Sequence, residues 1–383
     1  MDAIKKIKAD EVTIGQSLPW PVYDSEKSLL LKEGTVVRSE KQLAVILEKG
    51  VYRGLSNDEC VAEAAQLAER RKKPSNPFQM KNICAKKLQQ LVAKLLSGEE
   101  VNVQEAVGFV TEQVKEGCAN HANATLAAVH LADEQSYVTL HPLHTAILCQ
   151  LLMRRLKFTE AQQDTVIAAA LLMNIGMYEL QDRLFSQAEP LTEAQSREIQ
   201  QHPEKSAELL KQAGMDDPHL LSIILQHHER IDGTGYPAKL AGANIHQGAK
   251  LLCLADMYAA MVTPRAYREP IRAQTALKDI FTDRGKSVDS HLSQILIREI
   301  GVYPPGSFVK LVNGDTAIVL KRAIVKKGRN ATAPVVACVV SPRGGLYEKP
   351  AVRDSNLDMY KITGMVEPDF DEPMDFSNLW KTS

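Results

Sequence analysis

The stretch of sequence that most constrains this fold reads Gln226-His227-His228-Glu229-Arg230-Ile231-Asp232-Gly233-Thr234-Gly235-Tyr236-Pro237. The two adjacent histidines follow an apolar run, residues 220–225. That run has helix-start signals behind it, because Asp217 can cap a helix and Pro218 suits the first helical position. The sequence therefore predicts a helix that ends in two imidazoles.

A rigid loop is predicted directly after the histidines. Gly233 and Gly235 permit backbone angles that are closed to other residues, whereas Pro237 fixes its own φ and pushes Tyr236 towards an extended conformation. Taken alone, a His-His pair before a glycine turn is more often a pair of hydrogen-bonded histidines than a metal site. The complete string is much more specific.

The complete string resembles the signature of the HD-GYP family, bacterial metal-dependent phosphodiesterases that hydrolyse cyclic di-GMP. That signature is His-His-Glu, two residues, Asp-Gly, one residue and Gly-Tyr-Pro, and every fixed position is present here. The resemblance implies a mainly α fold, an HD-type helical bundle. In that family, His and Asp side chains from several helices hold two or three divalent metals, usually iron or manganese.

Length and composition limit the remaining possibilities. A chain of 383 residues suits two or three domains. Lys plus Arg number 46 and Asp plus Glu number 47, so no global charge favours duplex nucleic acid or an anionic membrane as a partner. The six cysteines form no Cys-x-x-Cys pair, and no run approaches the roughly 20 apolar residues of a membrane helix. We therefore expect a cytoplasmic protein without a membrane partner.

The pattern of apolar residues changes several times along the chain. Residues 1–58 alternate short apolar runs with turns and predict a small α+β N-terminal module, and the polar residues 59–79 read as a linker. Helical spacing dominates residues 80–300. Residues 301–365 predict a small C-terminal β extension that includes a hairpin turning at Asn313-Gly314, and 366–383 a loose acidic tail.

The resemblance implies a set of metal ligands, and most of them are present. The residues at these positions are His141 and His202, each expected just before a helix, followed by His227, His228 and Asp256. Tyr137 stands where some members have a glutamate that holds a third metal. A trinuclear centre is therefore not expected.

The pair that gives the HD superfamily its name is missing. Met173 and Asn174 stand at the end of a buried helix where the family has His-Asp, and Met177 replaces a lysine expected to contact phosphate. A thioether is a poor ligand for the harder divalent ions. An amide oxygen lacks the charge with which a carboxylate bridges two cations. We interpret these three positions as degenerate, which leaves the catalytic residues unknown.

The losses predict at most one bound ion. His202, His227 and His228 could still hold a divalent iron, manganese or zinc ion, because three imidazoles suffice in known zinc centres. The other metal of the family, at His141 and Asp256, would lose half of its ligands. It stays open whether these histidines are instead hydrogen-bonded inside the bundle without any metal.

Residues on the substrate side are better preserved. The segment Thr263-Pro264-Arg265-Ala266-Tyr267-Arg268 resembles the family's Arg-Pro-Tyr-Arg segment, whose basic residues contact the phosphates of cyclic di-GMP. Arginine offers forked donors to phosphate oxygens, although a pair of surface ion-pairing arginines is the alternative. The predicted ligand-binding residues are thus Arg265, Arg268, Gly233, Gly235 and Tyr236.

Three functions are consistent with these residues. The first is a degenerate HD-GYP protein that binds cyclic di-GMP, or a signalling partner such as a diguanylate cyclase domain, with little or no hydrolysis. The alternative is an active metal-dependent phosphodiesterase that releases pGpG or GMP. The third is a purely structural interaction module with an empty pocket.

Overall fold

The structure is a computed structural model that describes residues 4–8, 11–24, 28–48, 52–54, 76–131, 135–263, 271–323, 333–367 and 375–380. The chain forms two compact units, Met1–Ser75 and Asn76–Ser383. The predicted fold class, a helical bundle with small sheet-containing modules at both ends, is confirmed. Most of the predicted linker lies outside the described residues. No described helix is long and apolar enough to cross a membrane.

The first unit is a small α+β module. Its strands pair antiparallel in the order β1-β4-β2-β3. Apolar side chains from the sheet, the helix and the segments between them, including Trp20, Val22, Val37 and Ile46, form its core. The elements are β1 (Ile4–Lys6), β2 (Val22–Tyr23), β3 (Leu29–Leu31), α1 (Glu40–Glu48) and β4 (Tyr52–Gly54).

Helices dominate the second unit. In chain order they are α2 (Pro77–Ser97), α3 (Val103–Asn120), α4 (Ala122–His130), α5 (Tyr137–Met153), α6 (Glu160–Leu172), α7 (Tyr178–Ser186), α8 (Glu193–Gln212), α9 (Pro218–Gln226), α10 (Gln247–Val262), α11 (Ala273–Asp283) and α12 (Ser290–Ile300). Every residue of α5 is buried. It packs against α6 and α10, which fits a sequence that is apolar nearly all round.

Two helices begin earlier than the sequence predicts. His141 and His202 were each expected just before a helix, but they lie inside α5 and α8. Each histidine is followed by a proline, which reads as a helix start because proline suits the first helical turn. Here the helix continues through the proline, because burial of the surrounding apolar residues outweighs the loss of one backbone hydrogen bond.

The C-terminal strands form an antiparallel sheet in the order β8-β7-β6-β5-β9. The predicted hairpin is β5 paired with β6, and Gly314 adopts a φ of 87° in its turn. The strands are β5 (Phe308–Leu311), β6 (Thr316–Lys321), β7 (Val335–Val340), β8 (Leu346–Asp354) and β9 (Ile362–Met365).

The sheet packs directly on the helical bundle. Ala124 and Ala127 of α4 share an apolar cluster with Ile318 and Leu320 of β6. Trp380 closes this cluster, and its indole N–H donates to the carbonyl of Leu320 at 3.0 Å. The described end of the tail is therefore anchored, which its acidic composition did not predict.

His130 joins α4 to both α10 and the chain before the sheet. Its Nδ1 lies 3.0 Å from the carbonyl oxygen of Leu126 and 3.1 Å from that of Pro305, so Nδ1 carries the proton. Its Nε2 accepts from the Tyr258 hydroxyl at 2.8 Å. Burial lowers the pKa of His130 to about 4, although the two carbonyls oppose the shift.

This lowered pKa predicts an acid-sensitive fold. Between the unperturbed pKa of 6.5 and about 4, the unfolded chain binds a proton at His130 that the folded chain does not. The stability that neutral His130 contributes is complete above pH 6.5 and is lost as the pH falls towards about 4. Urea unfolding at pH 7, 6 and 5 with EDTA should show that the parent protein loses more unfolding free energy than His130→Gln as the pH falls, by up to about 1.4 kcal/mol per pH unit and mostly between pH 6 and 5. Equal slopes would contradict the assignment.

Candidate functional site

Three imidazoles converge where α8 meets the end of α9. His202 comes from the middle of α8, and His227 and His228 follow the last residue of α9. One ring nitrogen from each residue lies within 4.8 Å of the others. His202 and His227 are fully buried, and His228 is half-buried. This cluster matches the three-histidine set predicted from the sequence.

The tautomers of two of these rings follow from their backbone contacts. Nδ1 of His202 lies 2.5 Å from the carbonyl oxygen of Ile199, and Nδ1 of His227 lies 2.6 Å from that of Ile224. A carbonyl only accepts, so both Nδ1 atoms carry the proton. The two Nε2 atoms, 3.1 Å apart, then face each other with lone pairs. A cation bound by both nitrogens would satisfy them.

Electrostatics keeps this cluster neutral. Burial, together with the neighbouring His227, lowers the pKa of His202 to about 3. Burial likewise lowers the pKa of His227 and places that of His228 well below its usual value. Neutral imidazole is the form that binds a metal, so the surroundings favour ligation over protonation.

A second polar pair lies close to the cluster. Nε2 of His141, from α5, is 2.7 Å from Oδ1 of Asp256, from α10. Burial opposes ionisation of Asp256, but the hydrogen bond from His141 and the nearby imidazoles hold the pKa of the carboxyl group below its usual range. Nδ1 of His141 is buried and has no hydrogen-bond partner among the described residues.

The three positions interpreted as degenerate differ in their exposure to the cavity. The side chain of Met173 is fully buried in the bundle core. Asn174 lines the cavity beside His141, and its buried Oδ1 has no partner within the described part of the chain. Met177 lines the cavity as well. An amide thus occupies the place expected for the bridging carboxylate.

Ser206 fixes the turn that carries Asn174. Its hydroxyl donates to the carbonyl of Met173 at 2.7 Å and accepts from the Gly176 N–H at 2.9 Å. A Cβ on Gly176 would lie 2.6 Å from the backbone nitrogen of Ser206, so only glycine permits this approach. The turn is therefore held against the helix that carries His202.

These residues open into one cavity of about 490 Å³. The polar residues Asn174, His141, His228 and Asp256 line one part of it. Other parts are lined by Tyr137, Met177, Gln181, Leu184, Phe185, Gln187, Ala188, Glu189, Pro190, Leu191, Ile199, Tyr236 and Ala260. The size and the mostly apolar lining are typical of a small-molecule site.

Glu229 fixes the loop that follows the histidines. The side chain is 2% exposed, and its two carboxylate oxygens accept from the backbone N–H groups of Ala238 at 2.7 Å and Leu240 at 2.9 Å. Charged acceptors make strong hydrogen bonds to backbone donors. This residue, read from the sequence only as part of the signature, holds both ends of the Gly-Tyr-Pro loop together.

The glycines allow the loop to return close to the helix end. Gly233 has a φ of 79°, and a Cβ on Gly235 would lie 2.5 Å from the His228 carbonyl oxygen. This approach brings the Tyr236 ring nearly parallel to His228, with centroids 4.7 Å apart. Burial raises the pKa of Tyr236. Tyr236 lines the cavity, whereas the two glycines only shape the loop.

The structure brings together most of the residues proposed from the sequence. His141, Asn174, Met177, His228, Tyr236 and Asp256 line the cavity, and His202 and His227 join His228 behind it. Arg265 and Arg268 lie outside the described residues.

The sequence analysis missed the wall that α7 contributes. Gln181, Leu184 and Phe185 all line the cavity. Their spacing of three and four places them on one face of a helix, and this spacing was the available signal. It carries no motif of its own, because many surface helices have the same pattern.

Comparisons with known proteins find a family match and several relatives. Residues 122–292 match the HD domain family. The cyclic di-GMP phosphodiesterase PA4108 of Pseudomonas aeruginosa is 28% identical over 246 residues, which cover 64% of this chain and 58% of that protein. The cyclic di-GMP phosphodiesterase response regulator RpfG of Xanthomonas campestris is 27% identical over 207 residues, 49% of this chain and 54% of that protein.

Among solved structures, Bd1817, an HDG"Y"P protein from Bdellovibrio bacteriovorus, aligns with a TM-score of 0.48 and 18% identity, and the alignment covers 77% of this chain and 98% of that one.

The chain contains an HD domain. The match to the HD domain family and the complete signature string support a resemblance to the HD-GYP family. It spans little more than half the length of the two relatives from Pseudomonas and Xanthomonas.

The role of Glu229 predicts a local effect of its substitution. Glu229→Gln keeps the shape but leaves one of the two backbone N–H groups facing an amide NH₂ group. We expect a loss of about 1–3 kcal/mol in unfolding free energy. Hydrogen exchange should increase at residues 230–241. The exposed Asp232→Asn is the control within the same loop, and equal protection in both variants would contradict the proposed role.

Proposed function

We propose that this protein is a degenerate HD-GYP member that binds cyclic di-GMP and takes part in signalling with little or no hydrolysis. The observation that carries the proposal is Asn174. Its uncharged amide lines the same cavity as His141, His228 and Asp256, where the family resemblance implies a bridging carboxylate. The recognition surface is thus kept while the group that would hold two cations together is absent.

The proposed site holds at most one tightly bound divalent ion, at His202, His227 and His228. The opposed lone pairs of His202 and His227 support this set. Three imidazoles suit iron, manganese or zinc. A bound ion would supply positive charge to a phosphate oxygen. His141 and Asp256 bind each other, so each already has a partner without a second ion.

The cavity suits a cyclic dinucleotide in size but requires added positive charge. Its volume of about 490 Å³ lies within the usual range for small-molecule sites. Asp256 and Glu189 are acidic, and the described lining residues include no lysine or arginine. Two phosphates therefore need compensation from an ion at the histidines and, in our proposal, from Arg265 and Arg268.

An active phosphodiesterase is the second candidate. The relatives from Pseudomonas and Xanthomonas are named cyclic di-GMP phosphodiesterases, and His141, His228 and Asp256 open on the cavity in which a phosphodiester would lie. A weak activity needs only one activated water. A diguanylate cyclase domain is a proposed protein partner for the first candidate, whereas a purely structural module would bind no nucleotide.

Calorimetric titration with cyclic di-GMP, together with chromatography of pGpG and GMP after incubation with Mn²⁺ or Fe²⁺, separates these functions. The proposal expects saturable binding with little or no product. Rapid product formation would favour the second candidate. The absence of binding with and without metal would favour the structural module.

Metal content tests the three-histidine set. We expect at most one ion per chain after purification with Mn²⁺ or Fe²⁺. His228→Ala should abolish metal content because only two ligands remain, whereas His141→Ala should change it little. Elemental analysis of the purified variants is the measurement. Two ions per chain at full occupancy would show that Asn174, or another side chain of the bundle, replaces the bridging carboxylate.

Restoring the missing pair should restore hydrolysis. Met173→His with Asn174→Asp should raise the rate by more than about tenfold over either single change, because a second metal needs both the added imidazole and the shared anion. Met177→Lys on top of the pair should raise the rate further by placing a cation near the phosphate. Product formation from cyclic di-GMP is the measurement. If the unmodified protein already hydrolyses cyclic di-GMP as fast as the double variant, Met173 and Asn174 do not impair catalysis and the proposed function is wrong.

A further inference from the structure

The part of the cavity formed by α7 has a chemistry different from that of the histidine side. Gln181, Leu184 and Phe185 face the cavity from this helix, and Pro190 and Leu191 extend the wall. These side chains are apolar, aromatic or uncharged polar groups. Such a surface does not complement a phosphate, but it does complement a flat heterocycle with polar edges.

Phe185 is held by a column of stacked rings. Its ring lies nearly parallel to that of Tyr137, with centroids 5.6 Å apart and planes 11° apart. Tyr137 in turn stacks on His141, with centroids 4.9 Å apart and planes 20° apart. The position of Phe185 is thus set relative to the His141–Asp256 pair. A base stacked on Phe185 would lie at a fixed distance from the polar side of the cavity.

Gln181 has an unsatisfied acceptor. Its side-chain Oε1 is shielded from solvent and accepts no hydrogen bond from any residue that the structure describes. A buried acceptor without a donor costs free energy, which a donor on a ligand would recover.

The neighbouring amide of Gln187 has a different role. Its Nε2 donates to the carbonyls of Glu189 and Pro190, and its Oε1 accepts from Gln195 at 2.7 Å. Gln187 therefore fixes the shape of the wall, and its oxygen is already engaged. Among the described residues, Gln181 is the wall amide whose oxygen accepts no hydrogen bond.

We infer that Gln181 and Phe185 form a base subsite for guanine. The Phe185 ring stacks on the base, and Oε1 of Gln181 accepts from the adjacent N–H groups at N1 and N2. Guanine fits this acceptor because it presents two neighbouring donors, whereas adenine presents one donor beside an acceptor nitrogen. The inference rests on the proposed function, since it assigns one base of the cyclic dinucleotide to this wall.

Calorimetric affinities for cyclic di-GMP and cyclic di-AMP test the subsite. Gln181→Met keeps the volume but removes the acceptor and should weaken cyclic di-GMP binding about tenfold or more. Phe185→Leu should weaken it by a similar factor through lost stacking. Gln181→Glu should raise the preference for cyclic di-GMP over cyclic di-AMP, because a carboxylate accepts from both guanine donors and repels the adenine acceptor nitrogen, whereas its repulsion of the phosphates acts on both ligands. Glu179→Gln, an exposed change on the same helix, is the matched control.

The outcomes separate the subsite from the proposed function. If the unmodified protein binds no cyclic di-GMP, the proposed function fails and the subsite fails with it. If the unmodified protein binds but Gln181→Met changes the affinity by less than about twofold, only the subsite is overturned. Should Gln181→Met fold poorly by circular dichroism, Gln181→Glu decides: an unchanged or reduced preference for cyclic di-GMP over cyclic di-AMP overturns the subsite.

Discussion

The site depends on two imidazole nitrogens, Nε2 of His202 and Nε2 of His227, that face each other. His202 and His227 come from different helices, and each has its Nδ1 proton committed to a backbone carbonyl of its own helix. Their Nε2 atoms then meet 3.1 Å apart in a fully buried position. Neither can supply a proton to the other without becoming charged, and burial lowers the pKa of both. Without a cation, two buried acceptor nitrogens face each other with no donor between them, which costs free energy. A cation bound between α8 and α9 would satisfy both nitrogens.

The turn with Met173 and Asn174 is held in place through its backbone. Ser206 bonds both sides of this turn, and Gly176 allows its backbone to touch α8. None of these contacts involves the side chain of residue 173 or 174. The backbone therefore keeps its position whether an acid or an amide stands there. Met173 is stabilised as a core residue, whereas the Asn174 side-chain oxygen has no hydrogen-bond partner in the described part of the chain.

In the function that we propose, the loop and the α7 wall contact different parts of the ligand. Glu229 fixes the loop from inside, so that Tyr236 stacks on His228 at the cavity edge. The column from Phe185 through Tyr137 to His141 connects the wall with the polar pair at Asp256. Aromatic surfaces thus lie beside both groups of polar residues. This arrangement suits a ligand that combines anionic phosphates with flat bases.

The sequence by itself determined the helical bundle, the hairpin at Gly314, the family resemblance and the three histidines of the cluster. Helical periodicity and turn chemistry are local properties of the chain, and the signature string can be read without knowing any long-range contact. The predicted positions of His141 and His202, just before a helix, were wrong, because both residues lie inside helices that continue through the following proline. Only the tertiary structure decided which lone pairs face each other, that Met173 lies in the core while Asn174 faces the cavity, and that α7 contributes a wall. These features depend on how helices distant in sequence pack, and helical spacing does not encode which partner a given face will meet.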